Sequence, residues 1–301
     1  RDGEMISVET LSNKEFLEKL NSQQDYVQIG EETKLTKVVG LIEINTSNWN
    51  KKFSLFENLE FEQTVIFQGN SLKSLLNIGE SIVFLNCRFE SKIIFKHCKS
   101  PKYKQNTEIQ KSKAIQFSGG WCNELKITDC NFPSGLLFNN AEGKETVINW
   151  LEINNCKFNS EIRFEKAQIH TMCDINFNRF TSGGISFNNS EISSGLRLSF
   201  NKGTYNNIYL RENEFKKQIF IYGGEYNRIN IEDCKLKEKI DLLINDIKEE
   251  VLLKNNIFEE RFQIDCKDHS NNSISSKSPN EIWIQNNKFL NGFYYNFEFL
   301  K

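Results

Sequence analysis

The octapeptide Leu151-Glu-Ile153-Asn-Asn-Cys156-Lys-Phe158 returns position by position along the chain. Its copies are Leu125-Lys-Ile127-Thr-Asp-Cys130-Asn-Phe132, Ile208-Tyr-Leu210-Arg-Glu-Asn213-Glu-Phe215 and Ile282-Trp-Ile284-Gln-Asn-Asn287-Lys-Phe289. Others keep only the four patterned positions: Ile82, Phe84, Cys87 and Phe89; Ile229, Ile231, Cys234 and Leu236; Val251, Leu253, Asn256 and Phe258. Weaker copies lie between them, such as Ile162, Phe164, Ala167 and Ile169, or Ile240, Leu242, Asn245 and Ile247. From residue 151 the units begin at 151, 162, 173, 185, 196, 208, 219, 229, 240 and 251, a step of 11 give or take one. A fixed step of this kind belongs to architectures that stack one small unit on the next.

Within each unit the first and third positions are apolar and the second is polar, the period-two signature of a strand with one buried face. Apolar residues spaced by two, three and two then describe short strands separated by corners. The slot filled by Cys, Asn, Ala, Ser or Gly lies just after a corner, where a large inward side chain would collide with its neighbours. Two units make about 22 residues, one coil of a right-handed parallel β-helix whose strands pair with those of the coils above and below at ~4.8 Å. Phe would then stack on Phe and Asn on Asn. The chain's 25 Phe and 3 Pro agree, since proline removes a donor from the ladder. A leucine-rich repeat also satisfies L-x-I-x-x-C-x-F, but its second half forms a helix or convex segment, whereas Ile162-Arg-Phe164 and Ile240-Asp-Leu242 repeat the strand pattern.

Divided more finely, Leu151-x-Ile153-x-x, Cys156-x-Phe158-x-x, Ile162-x-Phe164-x-x and Ala167-x-Ile169-x-x read as five-residue words with a large central residue. Over residues 62–292 this resembles the pentapeptide-repeat family, with one extra residue per pair of words. The resemblance implies a right-handed β-helix, a bacterial source and end-to-end dimerisation. The expected fold is therefore all-β: one right-handed parallel β-helix with a short N-terminal capping helix. Residues 1–61 form a cap region leading into the first coils, and residues 62–301 form the β-helix.

An open solenoid exposes strand edges and core at both ends. At the first end Ser12 and Glu15 spell a capping box, Leu11 and Phe16 a hydrophobic staple, and Phe16, Leu17 and Leu20 an apolar stripe, predicting a helix over about 13–20. At the other, Phe293, Tyr294, Tyr295, Phe297 and Phe299 crowd together, which predicts either a longer chain or contact with a partner or second copy. Arg1 in place of Met likewise points to part of a larger protein. Loops interrupt the repeat near 99–113, 140–146 and 267–280. The first is lysine-rich, and its Lys102, Lys104, Lys111 and Lys113 are candidate partner contacts together with Phe293, Tyr294 and Tyr295.

Lys plus Arg number 38 against 40 Asp plus Glu, so no bulk charge marks a general nucleic-acid or membrane-surface binder. No run of about 18 apolar residues is present to span a membrane. Of the eight cysteines none forms a C-x-x-C pair, and with three histidines a zinc site is not expected. Cys87, Cys98, Cys130, Cys156 and Cys234 fall in the small inward slot, which predicts reduced core thiols and a cytoplasmic setting. Catalysis would require acids and a base gathered on the outward rows, because a site and not a fold carries activity. Lys126, Glu152, Tyr209, Asn230 and Trp283 read as one row, and Thr128, Asn154, Arg211, Glu232, Lys254 and Gln285 as another. Neither gathers acids with a base, and Asp241, Asp265, Arg163 and Arg197 fall in different units. The function expected is a non-catalytic binding or scaffold module for a protein partner or a homodimer, with no cofactor. The alternatives are a polysaccharide lyase or glycosidase using platforms such as Trp283 and Tyr209, and a nucleic-acid role through DNA mimicry or the lysine-rich insert.

Overall fold

A computed structural model describes residues 7–101, 113–266 and 279–297 of this chain. It is a parallel β-solenoid of about 11 turns with about 23 residues per turn, and among the described residues it has a single short helix, near the N-terminus. Two compact units, Arg1–Asn149 and Trp150–Lys301, divide it.

In the first unit, parallel ladders are present from the start. Ser7–Ser12 pairs with Lys34–Val39, which pairs with Leu59–Phe61, and that strand pairs in turn with Arg88–Lys96. A second ladder runs through Tyr26–Ile29, Phe53–Glu57, Ser81–Leu85, Ile115–Ser118 and Leu136–Asn139. The registers place Phe56, Phe84, Phe117 and Phe138 in one column, stacked at 5.3, 5.0 and 5.5 Å between ring centroids. The helix Asn13–Ser22 covers this unit's first coils. Its capping box is formed, with Glu15 N–H donating to Ser12 Oγ and Ser12 N–H to Glu15 Oε2. Phe16 and Leu20 are buried, and Phe16 packs against Phe56 and Phe61. The helix runs two residues beyond the expected end, because Ser22 Oγ and Gln23 Nε2 both donate to the Lys19 carbonyl in the last turn.

In the second unit one coil shows the plan. The strand Gly184–Asn188 is followed by a corner at Asn189, the two-residue strand Glu191–Ile192, the strand Gly195–Ser199, a corner at Phe200, and the two-residue strand Lys202–Gly203. Asn207–Arg211 then pairs Asn207 with Gly184 and closes the coil. The four segments are unequal, two long and two short. Ile185, Phe187, Ile192, Leu196 and Leu198 point inward and are buried, and Phe187 lies 4.2 Å from Phe164, with the rings parallel to 3°. Burying each such side chain contributes about 1.5–3 kcal/mol. Gly203 sits where a Cβ would fall 1.6 Å from the Phe180 carbonyl oxygen, so only glycine allows the two coils to meet there.

The loop expected at 140–146 contains a tight turn, in which Ala141 and Lys144 exchange backbone hydrogen bonds of 2.9 and 2.8 Å around Glu142 and Gly143, both at positive φ. One expectation is corrected. The outward row of Lys126, Glu152, Tyr209, Asn230 and Trp283 divides between two sheets. Glu152 lies in the sheet containing Ala167–Asn176, whereas Tyr209, Asn230 and Trp283 lie in the other long sheet. Strong and weak copies of the repeat exchange sheets near Gly203. Both halves of a coil carry the same pattern, so copy strength does not report which face a unit occupies.

Candidate binding surface

The corners arise from one backbone device. Nearly every non-glycine residue at positive φ immediately precedes a slot residue, as in Asn86-Cys87, Asp129-Cys130, Asn155-Cys156, Asn189-Ser190 and Asp233-Cys234. A single left-handed residue turns the chain, and the next side chain is then aimed inward at the backbone of the adjacent coil. Asn201 Oδ1 accepts from the Asn178 N–H at 3.0 Å, while Asn201 Nδ2 donates to the Ile175 carbonyl at 2.7 Å. Asn256 repeats this with the Cys234 N–H and the Ile231 carbonyl. Where the slot holds cysteine, the thiol donates instead, from Cys87 to the Phe56 carbonyl and from Cys98 to the Phe67 carbonyl, each at 3.2 Å. The slot is thus a hydrogen-bonding station as well as a small space. All eight cysteines are free and buried. Burial pushes the Cys87 and Cys234 thiols up to about 12, and raises those of Cys122 and Cys173 further, which removes these four thiolates as nucleophiles near neutral pH.

Two corners break the pattern. The described non-glycine residues at positive φ are Asn, Asp, His, Glu or Lys, except Phe177 (φ 57°) and Phe200 (φ 53°). The left-handed conformation costs an ordinary L-residue roughly 1–2 kcal/mol, and a bulky residue in it is an outlier. Neither ring enters the core, since Phe177 is 60% exposed and Phe200 37%. They stack at 5.2 Å with 11° between planes, and Phe200 meets Tyr222 edge-on at 5.2 Å. Phe220 stacks on Tyr222 at 5.7 Å. The next corner is Gly223, where a Cβ would lie 2.6 Å from the Phe200 ring. Two ion pairs flank this patch. Arg197 lies 3.7 Å from Asp174, whose carboxyl burial raises above the usual range and Arg197 pulls back. Arg261 lies 3.0 Å from Asp241, which also accepts from Gln218. The spacing rule of the repeat contains this signal, because it identifies the residue before each slot as a corner and these two corners carry Phe.

The residues singled out from the sequence do not converge. Lys102, Lys104 and Lys111 lie outside the described residues, as do Phe299 and His269. Lys113 is half-buried, and its carbonyl accepts from Ser81 Oγ at 2.6 Å. In the strand Phe293–Phe297, Phe293 and Tyr295 continue the inward columns of Phe262 and Ile264, while Tyr294 points outward beside Gln263. Arg197 and Asp241 share an outward column with Phe220 between them, and Arg163 lies in the other long sheet. Asp265 is one column aside, paired in register with Leu243. His97 Nε2 lies 3.4 Å from Asp129 Oδ2, so it faces away from the Cys98 thiol.

No helix among the described residues is long and apolar enough to cross a membrane, and none of their His, Cys, Asp and Glu residues cluster in a way that could hold a metal ion. Comparison with protein-family models, with curated proteins and with solved structures finds no match.

Proposed function

We propose that this chain is a non-catalytic binding module, a pentapeptide-repeat-like β-helix that holds a protein partner against the corner formed by Phe177 and Phe200. The observation that carries the reading is that two exposed phenylalanines occupy strained corners where polar residues stand elsewhere. Strained backbone at bulky, exposed side chains supports a functional role for these two corners. Aromatic and Arg side chains are the usual anchors of protein interfaces, and Phe177, Phe200, Tyr222 and Arg197 assemble both kinds here. Because the two Phe rings stack on each other, they offer an apolar ridge suited to an apolar cleft in a partner, rimmed by groups that complement Arg197 and Asp174. A solenoid already ordered by its ladders loses little conformational freedom on binding. The free, buried thiols support a reducing, cytoplasmic setting, and a bacterial source follows from the family resemblance.

The test places a photo-crosslinking phenylalanine analogue at position 177 of the full chain, identifies the protein it captures, and titrates that purified partner against the double variant Phe177→Asn, Phe200→Asn. The expected result is saturable crosslinking and at least about tenfold weaker binding by the double variant. An unchanged affinity, or the absence of any saturable crosslink, would refute the reading.

A further inference from the structure

In the second unit, the outward side of the other long sheet carries a depression of about 330 Å³ lined by Glu161, Arg163, Ser186, Tyr209, Arg211 and Glu232 among others. Its floor is a register column. Arg163 pairs with Ser186, Ser186 with Tyr209 and Tyr209 with Asn230, so four adjacent coils each contribute one outward side chain. At the ladder spacing the column spans about 14 Å. The small Ser186 between Arg163 and Tyr209 leaves the dip.

Three polar atoms of this column are buried and have no hydrogen-bond partner: Arg163 Nε, Ser186 Oγ and Asn230 Oδ1. Ser186 is only 3% exposed. Unpaired buried groups destabilise a fold, and each one in a native structure calls for an explanation. Here one is a donor, one an acceptor and one a hydroxyl that serves as either, all on one strip. The two cations of the lining also hold neighbouring carboxylates: Arg163 Nη2 pairs with Glu165 at 2.9 Å, and Arg211 Nε with Glu212 at 3.3 Å. Tyr209 is half-buried, its hydroxyl proton is held more tightly than usual by burial, and its ring stands in the middle of the column.

We propose that this depression binds an uncharged oligosaccharide laid across the strands. The charges of the lining balance, with Arg163 and Arg211 against Glu161 and Glu232, which disfavours a nucleic acid or an acidic polymer. The sheet's backbone donors and acceptors are taken up in the ladders on both sides, so an extended peptide finds no strand edge to join. A chain of hydroxyl groups, each both donor and acceptor, satisfies the three unpaired atoms, and a pyranose presents C–H groups to the Tyr209 ring. The site lies on a different sheet from the aromatic corner and does not depend on the role proposed for it.

The experiment titrates the full chain calorimetrically with cellohexaose, maltohexaose and chitohexaose, using polygalacturonate and a single-stranded oligodeoxynucleotide as charged controls. At least one neutral hexaose should bind with a Kd of about 1 mM or tighter, with neither charged probe binding as well. Ser186→Ala should weaken that binding about fivefold or more without lowering the melting temperature, since in the free protein the hydroxyl has no partner to lose and its removal deletes an unpaired buried group. Asn230→Ala, at a half-exposed position, should weaken it comparably. The proposal is overturned if no neutral hexaose binds, if a charged probe binds better, or if both variants bind as the parent does.

Discussion

Replacing Asn201 by alanine separates two accounts of the small inward slot. If the slot only excludes bulk, alanine fits it as well as asparagine. If it is a hydrogen-bonding station, the substitution orphans two buried backbone groups, the Asn178 N–H and the Ile175 carbonyl, which Asn201 now satisfies at 3.0 and 2.7 Å. The Asn178 side chain also loses one acceptor but keeps the Ile153 carbonyl at 2.9 Å. Asn201 is fully buried, and at about 1–3 kcal/mol for each orphaned group the expected loss is about 2–6 kcal/mol. A solenoid opens locally, so the assay is native-state hydrogen exchange at the Asn178 amide and its neighbours. Protection in this coil should fall by at least about 30-fold. Asn201→Cys should fall less, because elsewhere in the same slot Cys98 Sγ donates to the Phe67 carbonyl and Cys130 Sγ accepts from the Cys98 N–H. If alanine and cysteine behave alike, with protection within about threefold of the parent, the hydrogen-bond account is wrong.

Phe177→Asn should raise thermal stability by about 1 kcal/mol through relief of the left-handed strain, measured by thermal unfolding; a clear fall in the melting temperature would show that the ring stabilises the fold. None of the eight cysteines should react with a thiol reagent in the native protein at pH 8, and all should react after denaturation, so rapid native labelling would contradict their burial. Phe187→Ala should cost about 3–5 kcal/mol in chemical denaturation, because its ring fills a column between Phe164 and Leu210. The hydrogen bonds from Lys216 to Glu191 and from Lys237 to Glu214 hold both carboxyls below the ordinary value of 4.5. Their stabilisation is present above that value and is lost as pH falls through the lower folded values. Lys216→Met and Lys237→Met should therefore flatten the acid limb of a stability–pH profile, and an unchanged limb would exclude these pairs.

Much of this was legible in the residues. The apolar, polar, apolar triplets identified the strands because a strand's side chains alternate whatever lies around it. The step of 11 identified the stacking, since inward residues such as Phe164 and Phe187 can be shielded only by equivalent residues of the next coil. Ser12 and Glu15 identified the helix start because a capping box is closed within four residues. The sequence shows only a polar loop at 140–146, because its Glu-Gly centre resembles any other until the reciprocal bonds of Ala141 and Lys144 are seen.

The sequence by itself determined the parallel solenoid, its inward columns and its capped first coil, all of which follow from local alternation and a constant repeat. Only the tertiary structure decided which outward residues share a face, because identical half-coils leave that to the path of the chain through its corners. For the same reason the stacking of Phe177 on Phe200, and the alignment of Arg163, Ser186, Tyr209 and Asn230, exist only between coils, where residues about 23 positions apart become neighbours.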